Sequence, residues 1–195
     1  MSSNKITPQQ LRLFAGLLAK PGEESLTAIE EIAQEHHWLY DSIQELKEMS
    51  LEHWQGEHTR LFVNGHPKTG CPPFESVYRQ GVMNGPVCDE IELLYQESGL
   101  ESVENVPPDY LGVMLECAAY LLEQKSTTPS SEILASQSNE NNNNLIHLEE
   151  DAWQNFQILW QDHLTKWVPQ FANDLEQQSE LRLYQQLGSK LKELF

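Results

Sequence analysis

Leu111, Met114, Leu115, Ala118 and Leu122 recur at the spacing of one helical face, the most regular apolar pattern in the chain. A segment with this period cannot bury one side of a strand, which needs strict alternation, so the core has to be assembled from helices. No alternating run is long enough for a sheet, and no internal repeat suggests a solenoid. The fold class expected is all-α, with Leu111–Leu122 in a central helix.

Punctuation on either side supports this. Thr7-Pro8-Gln9-Gln10 reads as a helix start, with Thr7 as cap, Pro8 at the first helical position and Leu11, Phe14, Ala15 and Leu18 following on one face until Pro21-Gly22. Ser25 is placed to cap a helix carrying Leu26, Ile29, Ile32 and Ala33. Asp41 is placed to cap another that carries Ile43, Leu46 and Met49 and continues towards Trp54, where Gly56 can interrupt it. Asn64-Gly65 reads as a stop in the left-handed conformation. Pro86 to Ser98 reads as a helix through Ile91, Leu94 and Tyr95, closed by Gly99. Helical spacing returns with Trp153, Phe156, Trp160, Leu164 and Trp167, is expected to break at Pro169, and resumes with Leu181, Tyr184, Leu191 and Phe195. Between them, Lys125 to Asn144 is Ser, Thr, Asn and Gln rich and reads as a mobile linker.

The 195 residues suffice for one globular domain, or one domain with a small appendage. Twelve basic against thirty acidic residues give a net charge of −18, which argues against a nucleic-acid partner and favours a basic one. Between Arg79 and Lys166 the only Lys or Arg is Lys125, while Asp89, Glu90, Glu92, Glu97, Glu101, Glu104, Asp109, Glu116 and Glu123 all precede it. This tract reads either as a solvated helix surface or as a field that steers a cationic peptide. Cys71, Cys88 and Cys117 form no CxxC pair and suit a reducing compartment. The N-terminus shows no export signal and no stretch reaches transmembrane length, so the expected location is the cytoplasm, without membrane insertion.

Catalytic and metal motifs are missing. His36, His37, His53, His58, His66, His147 and His163 make no HExxH or HxxxH pair, so no metal site is expected. There is no GxxxxGK[ST], GxGxxG or GxSxG segment, and Cys71 has nothing adjacent to activate it beyond distant Lys68. The chain does not read as an enzyme.

Three stretches carry the family likeness. Leu61-Phe62 runs into Asn64-Gly65, and after a short gap comes Cys71-Pro72-Pro73-Phe74-Glu75-Ser76-Val77-Tyr78, in which Pro72 and Pro73 stiffen the loop. Val106-Pro107-Pro108-Asp109-Tyr110-Leu111 follows, and later Phe156, His163-Leu164 and Trp167-Val168-Pro169-Gln170-Phe171. Together these resemble the TorD/DmsD family, the NarJ-related cytoplasmic chaperones that mature molybdenum-containing redox enzymes. Pro107, Asp109, Leu111 and Glu116 agree with the family's hinge motif; Val106, Tyr110 and Met114 depart from it.

The resemblance implies a single helical domain of two halves, about 1–105 and 111–195, joined by a hinge at 106–110. It implies binding of a twin-arginine signal peptide and of the apo-form of an exported molybdoenzyme. No cofactor is expected, although weak guanine-nucleotide binding is associated with some members. A monomer and a helix-swapped dimer are both compatible with it. Independently of the family, two guanidinium groups ahead of an apolar segment call for carboxylates beside a hydrophobic groove. The expected peptide contacts are Asp109, Glu116 and Glu75 on the acidic side, with Trp54, Phe74, Tyr78 and Tyr110 lining the groove. Asp109 reads equally as a charge at a helix N-terminus, Glu75 as a satisfied buried carboxylate, and Tyr78 and Trp54 as core. Leu61, Phe62, Gly65, Pro72, Pro73, Ser76, Pro107, His163 and Trp167 are the structural signature. The rival functions are a helical interaction or regulatory module without a leader-peptide client, and a hydrolase with scattered carboxylates.

Overall fold

The structure, a computed structural model, describes residues 6–126 and 150–195. In chain order the helices are α1 (Pro8–Leu17), α2 (Ser25–Ile32), α3 (Tyr40–Lys47), α4 (Leu51–His58), α5 (Glu75–Gln80), α6 (Val87–Glu97), α7 (Leu111–Ser126), α8 (residues 150–158), α9 (Thr165–Gln178) and α10 (Arg182–Lys192). A 3-10 turn occupies His37–Leu39, and π turns occupy Thr59–Val63 and Leu159–Leu164. No strand forms among the described residues, so the fold is all-α as the spacing predicts. Beyond Ser126, the expected linker Lys125–Asn144 lies outside the described residues.

The chain forms two compact units, Met1–Gly16 with Phe74–Lys166, and Leu17–Pro73 with Trp167–Phe195. Neither is a continuous stretch of sequence, and residues 106–110 lie inside the first.

In the first unit α7 is the central core helix, with Leu111, Met114, Leu115 and Ala118 fully buried. Ile91, Leu94 and Tyr95 of α6 are buried on its inner face, and the π turn Leu159–Leu164 packs against α7. Thr7 caps α1 as expected, its Oγ1 accepting from Gln10 N at 3.2 Å. Gly99 closes α6 at φ +72°, a conformation that an L side chain strains, and Leu100 N then donates to Tyr95 O at 2.9 Å.

In the second unit α10 packs on α3 and on the 3-10 turn. Phe62 sits edge-on to Tyr184 at 5.2 Å and to His58 at 5.0 Å, which fixes the π turn against α10. Gly188 lets α10 approach α9 closely, because a Cβ there would lie 2.6 Å from Ala172 O.

Several local expectations are corrected. Ser25 does not cap α2; its Oγ accepts from Gly22 N at 2.8 Å in the preceding turn, and Glu24 is already in right-handed helical backbone. Ile32 is exposed rather than buried. Asp41 is no cap either, because the 3-10 turn feeds directly into α3 and leaves no extended residue ahead of it; Asp41 instead places its charge in the first turn. That helix stops at Lys47, and Ser50, extended at ψ 152°, caps a separate α4 by accepting from His53 N at 3.2 Å. Gly56 lies within α4 without interrupting it.

Asn64 stops the π turn in extended backbone, at φ −154°, not in the left-handed region. Gly65 is required for a different reason: a Cβ would come within 2.6 Å of Lys68 O and 2.7 Å of Arg60 O. Pro169 does not break α9, which runs through it. An interior proline costs about 3 kcal/mol, whereas each buried large apolar side chain contributes roughly 1.5–3 kcal/mol, and Trp167, Val168, Phe171 and Leu175 all face the core.

Candidate functional site

Where the stiff loop meets α5, backbone and side chains from distant segments converge. Phe74, extended at φ −132°, forms an isolated antiparallel bridge with Tyr110, and Glu75 N donates to Asp109 O at 3.2 Å. This aligns the start of α5 so that Asp109 Oδ2 accepts from Ser76 N at 2.8 Å. Asp109 therefore caps α5 across the fold, an anion placed on the positive end of a helix other than the one that follows it in sequence. The rings of Phe74 and Tyr110 stack at a tilt, 5.7 Å between centroids.

Glu75 is 0 % exposed. Its carboxylate accepts from Arg79 one turn on and faces His163 Nδ1 at 3.1 and 3.2 Å. Arg79 also donates to Asp162 O at 3.3 Å, tying α5 to the π turn Leu159–Leu164. Cys88 borders this knot, its thiol pushed up to about 12 by burial and then by its hydrogen bond with Asp109. Both carboxylates are turned inward: Glu75 is met by Arg79 and His163, and Asp109 by Ser76 N at Oδ2, while Asp109 Oδ1 is buried without a hydrogen-bond partner among the described residues.

A separate cavity of about 200 Å³ opens in the same unit. Tyr95 and Cys117, both buried, line its depth; Leu100, Val113 and Tyr120 supply further apolar surface; Arg12, Glu101 and Glu116 complete the lining with charged groups. Tyr95 is held by donating its hydroxyl to Pro108 O at 2.8 Å. Burial pushes the Cys117 thiol up to about 12, so at neutral pH this wall is uncharged. Arg12 makes a two-pronged contact with Glu123, one prong being Nη2 to Oε2 at 2.8 Å, and its Nε lies 3.3 Å from Glu116 Oε2. The hydrogen bond from Arg12 holds the Glu123 carboxyl below its ordinary value.

The structure thus brings Phe74, Glu75, Asp109 and Tyr110 together, with Ser76 and His163 of the signature. Tyr78 is half-buried on α5, and Glu116 belongs to the cavity. Trp54 lies in the second unit, buried, with Nε1 donating to Tyr184 Oη at 3.1 Å. Leu61, Phe62, Pro73 and Trp167 are buried in that unit too, with Gly65 at its tight corner and Pro72 half-buried. Pro107 accepts from Tyr110 N at 3.1 Å beside the bridge. Sequence reasoning did not single out Arg12, Tyr95, Leu100, Glu101, Val113, Cys117 or Tyr120 as cavity-lining residues. The available signal was that Glu116 and Glu123 share a face of α7, while Arg12 is the one cation within α1.

Among the described residues no helix is long and apolar enough to cross a membrane, and no group of three or more His, Cys, Asp or Glu side chains is placed to hold a metal ion. No curated protein matches the sequence. The structure is similar to that of a proposed redox enzyme maturation protein from Archaeoglobus fulgidus, with a TM-score of 0.64, 25 % identity, and coverage of 97 % of this chain and 93 % of that one. The family model of the nitrate reductase delta subunit matches residues 18–173. With that match over most of its length, the chain belongs to the nitrate reductase delta subunit family, the NarJ- and TorD-type chaperones of redox enzyme maturation.

Proposed function

We propose that the protein is a cytoplasmic chaperone that binds the twin-arginine leader and the apo-form of an exported molybdoenzyme, holding it until the cofactor is inserted. The observation that best supports this reading is the cavity of the first unit, where apolar walls meet the carboxylates of Glu101 and Glu116. A leader of two guanidinium groups ahead of an apolar segment needs that combination. The net charge of −18 adds long-range attraction for such a peptide. On this reading Glu116 contacts the leader, whereas Glu75 and Asp109 hold α5 in place. The action is reversible sequestration, with no bond made or broken.

Fluorescence anisotropy with a labelled leader peptide tests the reading. Binding in the micromolar range is expected, weakening as salt is raised, with most affinity lost when Arg-Arg is replaced by Ala-Ala. Equal affinity for the altered peptide overturns it.

A further inference from the structure

Resting on the leader-binding reading, a further inference concerns what already sits beside the cavity. Arg12 reaches from α1 to α7 and presents its guanidinium to two carboxylates, Glu123 through both terminal nitrogens and Glu116 through Nε at 3.3 Å. This forked geometry is the one by which any arginine recognises a carboxylate. The contact is half open to water, with side-chain exposures of 40 % for Arg12, 52 % for Glu116 and 37 % for Glu123. Exposed pairs of this kind add little to stability and exchange readily. Glu101, exposed beside the same cavity, pairs with no cation among the described residues.

We propose that Arg12 is a resident guanidinium on the ligand-binding carboxylates, which an arginine of the partner peptide displaces as the adjoining apolar residues enter against Val113 and Tyr120. A peptide with one arginine merely exchanges one ion pair for another. A second arginine finds Glu101 and gains a pair that did not exist before. Arg12 thereby sets a threshold that a singly charged apolar peptide does not clear, and it is a specificity-determining residue.

The test compares the full-length protein with Arg12→Gln and Arg12→Lys, using three labelled peptides that carry Arg-Arg, Arg-Ala or Ala-Ala before the same apolar segment. In Arg12→Gln, affinity for the Arg-Arg peptide should rise about fivefold, the equivalent of one exposed ion pair. Affinity for the Arg-Ala peptide should rise by the same factor while that for the Ala-Ala peptide stays unchanged, so that a single arginine now raises binding above Ala-Ala. Arg12→Lys, which keeps the charge and loses the fork, should fall between. Thermal melting by circular dichroism should match the parent for both variants, as for other exposed substitutions. Unchanged or weaker Arg-Arg binding by a variant that melts like the parent overturns the role of Arg12 while leaving leader binding intact. If the parent itself fails to separate Arg-Arg from Ala-Ala, the leader-binding reading falls and this inference falls with it.

Discussion

Glu75 and His163 stand 88 positions apart in sequence, yet His163 Nδ1 lies 3.1 and 3.2 Å from the two oxygens of a carboxylate sealed from solvent. Such a group is tolerated inside a protein only when its charge is answered by partners, here His163 and Arg79. Replacing Glu75 by Gln keeps the shape and removes the charge. We expect a loss of about 2–3 kcal/mol, because charge-assisted hydrogen bonds to a buried acceptor are weakened together. Arg79→Gln takes away one of these two partners and leaves the buried carboxylate short of its cation, so it should cost at least as much as Glu75→Gln. Urea unfolding measures both, and equal midpoints for Glu75→Gln and the parent would show that the knot contributes nothing.

Gly188 tests the packing of α10 on α9. An added Cβ would meet Ala172 O at 2.6 Å and Glu176 N at 2.9 Å, which are backbone atoms that cannot rotate away. Gly188→Ala would ordinarily stabilise a helix, since alanine has the higher propensity. Here overpacking should win, with a net loss of about 1–3 kcal/mol and a lowered melting midpoint. A rise in the midpoint would contradict the close approach.

His58 gives a pH dependence of known sign. Burial holds its imidazole below the ordinary 6.5, outweighing the hydrogen bond between Nε2 and Leu18 O at 3.1 Å, and nearby Lys20 acts in the same direction as burial. Between its lowered folded value and 6.5 the unfolded chain binds more protons, so this contribution is complete above 6.5 and is lost as pH falls through the folded value. The urea midpoint should decline as pH falls from 7.5 towards 5.5. His58→Gln, which can still donate to Leu18 O, should show a shallower decline. Parallel slopes for the two proteins would refute the assignment.

Helix existence was legible wherever the signal was local. The stripe through Leu111, Met114, Leu115 and Ala118, the Thr7 cap and the Gly99 terminus all depend on neighbours a turn away, and all three are found. Pro169 misled because its penalty is local while the burial that outweighs it comes from the tertiary core. Asp41 misled because the 3-10 turn ahead of it removes the extended residue that a cap requires.

The sequence by itself determined the all-α class and the family, because helical period, capping residues and the signature loop are written in short spacings. Tertiary structure alone decided which carboxylates face inward. Asp109 caps a helix through Ser76, 33 residues earlier, and Arg12 reaches a glutamate 111 residues away. Both pairings are set by which helices pack together, and helix packing follows from the burial of whole faces rather than from the identity of any one charged residue.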